Sequence, residues 1–376
     1  MTAPVRFAVV GCGVIGKLHA EVLAASEDTA VSVLVDVDAA AAEAVARRLV
    51  PAPPMTTSLE EALARDDVDA VAVCVPSGAH AQIAVAALES GRHVVVEKPI
   101  DVAVAAAAPI AAAAAAAPEG TVATVISQHR FDPASQVVHD AVVEGRFGRI
   151  TSAVATVSWW RSQAYYDSGA WRGTWELDGG GALMNQGVHT VDLLLWFLGT
   201  PVDVMAHTGL LAHERVEVED TVAAVVRFES GALATLHATT AAYPGLSVRL
   251  QVLGDAGSAV IDNDRLRYFH SRELSSAEAA GDAGVTAARD DRADQTALVL
   301  SDDGENPDPA RGPMFTGHAR QYHDIVEAIR TGRRPGVTLE DALLALATVQ
   351  AVYESARTGV PVRVADVLAA VEVPTP

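Results

Sequence analysis

The sequence predicts an α/β protein with two units: an N-terminal, doubly wound parallel sheet and a C-terminal α/β unit on a mainly antiparallel sheet. Three observations carry this prediction. Short apolar runs, "VRFAVV" (5–10), "VSVLVD" (31–36), "DAVAVCVP" (69–76), "HVVVEKP" (93–99) and "TVATVIS" (121–127), alternate with helical segments around 38–49, 58–65, 78–90 and 101–117. Strands and helices alternating at this spacing make βαβ units, and unbroken apolar strands are covered on both faces. Past residue 127 the pattern changes: a helical "DPASQVVHDAVVEGRFG" leads into alternating runs at 149–160, 202–211, 218–229, 232–241 and 247–254, with turns such as "ESG" and "GDAG". Sequential strands with short turns form antiparallel sheets. Finally, 376 residues suit two domains, here 1–127 and 128–376, with closing helices near 317–331 and 338–358. The stretch 271–312 is acidic, aperiodic and rich in small residues, and is expected to be a surface excursion.

Composition narrows the function. Half the residues are hydrophobic and 20% are charged, as in a packed globular protein. A net charge of −21 opposes nucleic-acid and anionic-membrane partners. Two cysteines, Cys12 and Cys74, are too few for a disulfide framework, and the N-terminus carries no evident signal peptide, so a cytoplasmic location is expected. The alanine run 103–117, interrupted by Pro109, reads as a helix covering a sheet. There is no HxxxH on a helix and no cysteine cluster, so no metal is expected. Lysine occurs only as Lys17 and Lys98, against 25 arginines, which singles out Lys98 beside Pro99 as a compact, titratable charge.

Between the first strand and the first helix, "VVGCGVIG" places Gly11, Gly13 and Gly16 with the spacing that receives a pyrophosphate on a helix N-terminus. Asp36 ends the second strand, 20 residues after Gly16, where a carboxylate accepts from ribose hydroxyls and repels a 2′-phosphate. The first arginine beyond it is Arg47. NAD is therefore expected over NADP, on a Rossmann domain. Asp38 is assigned to capping the next helix.

Further along, "GGGALMNQGVHTVD" (179–192) puts three glycines ahead of a helix carrying Asn185, His189 and Asp192 on one face. The continuation "LLLWFLG" buries that helix. The glycines are read as letting a loop approach a ligand, and the polar face as lining an active site, with Asp192 structural. "SWWRSQAYYDSGAWRGTW" (158–175) holds four of the five tryptophans; Arg161, Tyr165, Tyr166, Trp171 and Arg172 are the candidate contacts for a sugar or cyclitol. An interface would use the same residue types.

At this point the chain resembles the glucose–fructose oxidoreductase, inositol dehydrogenase and MocA family: in "GCGVIGKLHA", "VPSGAH", "EKPI", "HRFDP" and "GGGALMNQGVHTVD". The resemblance implies a Rossmann domain followed by an α/β domain with a large open, mainly antiparallel sheet. It implies Lys98 and His189 as catalytic residues. It adds Val14, Ile15, Pro76, Ser77, His80, Glu97 and Lys98 to the cofactor contacts. Asn185 stands where inositol dehydrogenase-like members carry aspartate, so it is expected to orient His189 or bind a substrate hydroxyl. His19 and His80 follow sheet-edge turns and are expected to pack beside the cofactor.

The chemistry that follows is oxidation of a secondary alcohol. His189, with an ordinary pKa of about 6.5, takes the hydroxyl proton. Lys98 polarises the reacting oxygen. The alternatives are an NAD-dependent glycoside hydrolase of the same family and a non-enzymatic dinucleotide-binding regulator. The second sheet, apolar on both sides in "VAAVVRF" and "ALATLHATTA", is expected to cover its outer face in a homodimer or homotetramer.

Overall fold

The computed structural model describes residues 3–274, 294–300 and 312–370, so the expected excursion at 271–312 lies mostly outside the described residues. Six strands form the first sheet: β1 Val5–Val10, β2 Thr29–Val35, β3 Met55–Thr56, β4 Ala70–Val73, β5 His93–Val96 and β6 Ala123–Val125. Their order is β3-β2-β1-β4-β5-β6, and every pairing is parallel. The order reverses between β1 and β4, which opens a crevice at the carboxyl ends of those strands. The alanine-rich run forms a helix, Val104–Ala116, that buries Val104, Ala107, Ala108 and Ile110.

The second sheet has eight strands: β7 Ile150–Ser158, β8 Pro201–Gly209, β9 Thr221–Phe228, β10 Leu233–Thr239, β11 Val248–Gly254, β12 Gly257–Asp262, β13 Arg265–Ser271 and β14 Val362–Arg363. The order is β13-β12-β11-β7-β10-β9-β8-β14. It is antiparallel throughout except where β7 lies parallel to β10. Three of these strands escape the sequence reading. β12 and β13 form a hairpin whose turn, Asn263-Asp264, takes φ of 48° and 62°, a conformation Asn and Asp tolerate better than most residues. β14 spans two residues, too short for any periodicity, and the same holds for β3 in the first sheet.

Helices Val188–Leu198 and Leu339–Thr358 cover one face of this sheet, bringing Leu194, Phe197, Leu346 and Val349 into the same core as Val157, Val226 and Leu236. The other face exposes Val225 and Leu233 at 49% and 52%. Helix Gly312–Thr331 packs elsewhere. Its Tyr322, Ile325 and Val326 share a core with Phe7, Val9 and Leu23 of the first unit. The first sheet ends with β6 at Val125 and the second begins with β7 at Ile150, while this later helix rests on the core of the first.

Candidate active site

The glycine loop divides its labour. Gly11 has φ +94°, and a Cβ there would lie 2.5 Å from the Cys74 carbonyl oxygen. A Cβ on Gly16 would lie 1.7 Å from the Gly11 oxygen. These two glycines let helix Val14–Ala25 close onto β1 and β4. Around Gly13 nothing lies within 4 Å of an added Cβ, and Val14 beside it is 84% exposed. An open shelf at a helix N-terminus is the shape a pyrophosphate requires. Ile15 packs partly into the core.

Asp36 continues β2 and faces this shelf. The Cys12 N–H donates to Oδ2 at 2.7 Å and the Asp38 N–H to Oδ1 at 2.9 Å. Each oxygen retains accepting capacity for a ribose hydroxyl. Asp38 caps helix Ala39–Ala46 through the Ala40 N–H, and Arg47 pairs with Glu43 at 3.4 Å. Among the described residues, the first arginine after Asp36 is thus engaged by an acid of its own helix.

After β4 the chain turns through Pro76 and buried Ser77 into helix His80–Glu89. His80 is itself buried. Its Nδ1 lies 2.9 Å from the Pro99 oxygen and its Nε2 2.9 Å from the Val75 oxygen. Burial lowers its pKa, so the neutral ring donates to one of these carbonyls. His80 thus ties the loop after β4 to the loop after β5.

That second loop carries Glu97 and Lys98. Glu97 is buried and accepts from His19 at 2.8 Å and from the Lys98 N–H at 3.0 Å; His318 Nε2 stands 3.5 Å away. Burial pushes this carboxyl up, but His19 and His318 hold it well below the ordinary range. The facing atoms of His19, Glu97 and His318 lie within 4.8 Å of one another, a grouping that the lack of an HxxxH pattern does not reveal. Lys98 donates from Nζ to the Asn185 carbonyl oxygen at 3.1 Å. Burial lowers its pKa against the pull of Glu97 and Asp178.

The glycine run Gly179–Gly181 departs from the expected role. A Cβ on Gly179 would meet Val102 at 2.8 Å, one on Gly180 the Tyr353 hydroxyl at 2.3 Å, and one on Gly181 the Glu219 oxygen at 1.7 Å. These glycines let protein pack on protein; they do not open a path for a ligand. Glu219 then seals the turn, accepting from the Gly181 and Leu183 N–H groups at 2.8 and 2.9 Å. Burial raises its pKa to about 7.

The helix that follows opens with a π turn, Ala182–Gly187, before the α-helix Val188–Leu198. Wide turns of this kind concentrate at functional sites. Asn185 makes no hydrogen bond to His189. Its Nδ2 donates to Asp178 Oδ1 at 2.7 Å, and its carbonyl holds Lys98. The expectation that Asn185 orients His189 is thus corrected: its amide steadies Asp178. Asp192 is structural, as expected, since both carboxylate oxygens accept from Arg130 at 2.7 and 2.8 Å. Among the described residues His189 has no hydrogen-bond partner on either nitrogen. Burial, then Lys98 and His129, depress its pKa well below the histidine range. Its surroundings therefore favour the neutral ring.

In the aromatic segment, the Arg161 and Arg172 guanidiniums lie 4.8 and 4.4 Å from the Tyr165 ring centroid. Arg172 also stacks on Trp171 at 4.4 Å and donates to the Tyr165 hydroxyl at 2.8 Å. Arg161 donates to Gln186 at 3.2 Å. Tyr166 is the exception among the expected contacts. It is buried with its hydroxyl on Thr240 at 2.8 Å, and burial raises its pKa to about 12. Its role is packing.

Asp178 escaped the sequence reading. It is 3% exposed, accepts from Asn185 and from the Gly173 N–H, and couples electrostatically to Lys98 and Arg172. An acid directly before the three glycines was the available signal.

Residues 5–125 match the NAD-binding Rossmann model of an oxidoreductase family, and residues 135–260 match the GFO/IDH/MocA C-terminal domain. The chain belongs to the GFO/IDH/MocA family. Like its relatives, it joins an NAD-binding Rossmann sheet to a mainly antiparallel sheet. The WlbA dehydrogenase of Bordetella pertussis, solved with NADH and UDP-GlcNAcA, is 30% identical with a TM-score of 0.81, over 96% of this chain and 98% of that one. The scyllo-inositol 2-dehydrogenase (NAD(+)) of Bacillus subtilis (strain 168) is 26% identical over 96% of this chain and 97% of its own. The inositol 2-dehydrogenase of Rhizobium meliloti (strain 1021) is 28% identical over 69% and 76%.

Proposed function

We propose that this GFO/IDH/MocA oxidoreductase oxidises a secondary hydroxyl of a sugar derivative that carries an anionic group, with NAD as hydride acceptor. One observation supports the anionic group. Arg161 and Arg172 both act on Lys98 through space, and neither guanidinium has a carboxylate within ion-pair distance among the described residues. In a chain with 48 acids to 27 bases, two arginines beside a lysine, facing Asp178, are suited to a carboxylate or phosphate on the ligand. WlbA, crystallised with the anionic UDP-GlcNAcA, is in keeping with this.

The residues that hold the dinucleotide are Gly11, Gly13, Val14 and Gly16 at the pyrophosphate and Asp36 at the ribose, with Ile15 behind them and Pro76, Ser77, His80 and Glu97 shaping the nicotinamide side. NAD supplies the hydride acceptor when bound. His189 takes the hydroxyl proton. Lys98, fixed by the Asn185 carbonyl, donates to the oxygen as negative charge develops there. Tyr165 and Trp171 offer flat faces to the sugar ring.

The test is a panel of free sugars, cyclitols, uronic acids, nucleotide sugars and glycosides, followed by NADH absorbance. Turnover concentrated on acidic members, with KM raised at least tenfold by Arg172→Gln, is expected. Turnover confined to neutral sugars would overturn the anionic assignment. Glycoside cleavage without net NADH would replace the dehydrogenase reading.

Asp36 makes NAD bind more tightly than NADP, because a carboxylate and a 2′-phosphate repel. Asp36→Ala narrows that gap. Fluorescence titration of both cofactors measures it, and tighter NADP binding by the unmutated protein would refute it.

The assembly we propose is a homodimer or homotetramer covering the sheet face that exposes Val225 and Leu233. Light scattering at micromolar concentration is expected to give a multiple of 39.0 kDa. The −21 charge argues against nucleic-acid and membrane partners, and no helix among the described residues is long and apolar enough to cross a membrane. Two buried free thiols support a reducing compartment such as the cytoplasm.

A further inference from the structure

The His129 ring meets that of His189 edge to face, with centroids 5.0 Å apart and planes at 84°. Two carboxylates converge on one nitrogen of this ring. Asp132 Oδ2 lies 2.8 Å from Nδ1 and Asp264 Oδ1 lies 3.1 Å from the same nitrogen. They come from different elements: Asp132 is the N-cap of helix Pro133–Val143, and Asp264 sits in the β12–β13 turn.

The stack is flanked by a pair of residues drawn from both segments. Arg130 and Asp192 form a buried bidentate pair three residues on from His189. This pair ties the turn Gln128–Phe131 to helix Val188–Leu198, which brings the neighbouring His129 up to His189.

We infer that His129 is a positioning residue for catalysis: held by Asp132 and Asp264 and set edge to face against His189, it fixes the His189 ring and places a positive charge beside it. This rests on the reading of His189 as the base, and it adds how that base stays available. The pair of acids raises the His129 pKa to about 10 despite its burial, while a cation against His189 favours the neutral form of that ring. The other charged groups acting on His189 are Lys98 and Glu97 from the loop after β5 and His318 from helix Gly312–Thr331. Asp192, on its own helix, is neutralised by Arg130. Of these, Lys98 and His318 push the same way as His129, and Glu97 opposes them.

The experiment is the pH dependence of kcat/KM in three proteins: the parent, His129→Gln and His129→Lys. Losing the cation is expected to move the acid limb upward by about one pH unit. Lysine, which keeps a positive charge between the two acids, is expected to leave the limb near its parental position. A limb unmoved in His129→Gln, or moved equally in both variants, would overturn the assignment. Should the variants fail to fold, an NMR titration of the parent's histidine rings in the absence of cofactor decides the matter. His129 is expected to keep its proton past pH 8 and His189 to stay neutral below pH 6.5. Loss of the His129 proton in the ordinary histidine range would sink the proposal. Loss of activity in His189→Ala supports the base reading, and full activity there would remove it and the positioning role with it; a His129 ring that titrates in the ordinary histidine range, with His189→Ala inactive, would remove the positioning role alone.

Discussion

Lys98→Met lowers kcat by about 10²–10³-fold, the cost of losing one preorganised donor at a developing oxyanion. Methionine keeps the unbranched reach of lysine and removes both charge and donors. The Asn185 carbonyl loses the bond it receives at 3.1 Å, but Asn185 stays anchored through its amide to Asp178. The site should hold its shape while its electrostatics fail. NAD affinity is expected to change far less than kcat, because the pyrophosphate shelf and Asp36 lie on other strands' ends. Steady-state kinetics with a parallel fluorescence titration of NAD separates the two effects. A parental kcat would remove Lys98 from the chemistry.

His189→Ala removes a general base worth about 10²–10⁴-fold. The pH profile sharpens this. The base works only when neutral, and its pKa lies well below 6.5 through burial, Lys98 and His129. The parental rate should therefore stay level through neutral pH and fall only below the ordinary histidine range. A limb centred near pH 6.5 or above would contradict the environment seen around the ring. In His189→Ala that limb disappears with the activity.

The parallel sheet was legible because its strands are buried on both faces and so read as plain apolar runs. β1 was placed to the residue at Val5–Val10. Gly11, Gly13, Gly16 and Asp36 were legible because backbone geometry at that turn admits few solutions. What the sequence hid were partnerships across distance. Asn185 and His189 share a spacing that suggests mutual contact, yet Asn185 answers to Asp178, on the loop before the glycines. Tyr165 and Tyr166 are equivalent in the sequence, and only the packing against Thr240 tells the buried one from the one between two arginines. The glycines at 179–181 suggest space for a ligand. Their neighbours, Val102, Tyr353 and Glu219, come from three remote segments that no local pattern announces.

The chain passes between the two sheets more than once. It leaves the first through 126–132, returns to it with helix Gly312–Thr331, and leaves again through 332–338 to begin helix Leu339–Thr358. The crossings are stitched together: Gln321 bonds both Ser127 and Val125, and Thr124 donates to the Val337 carbonyl at 2.7 Å. A body hung on a single strand can swivel about any bond of that strand. One hung on adjacent strands can only fold along the line that joins them, as a door does on paired hinges. That line runs beside β6, whose Thr124 and Val125 make two of these bonds, next to the loop bearing Lys98.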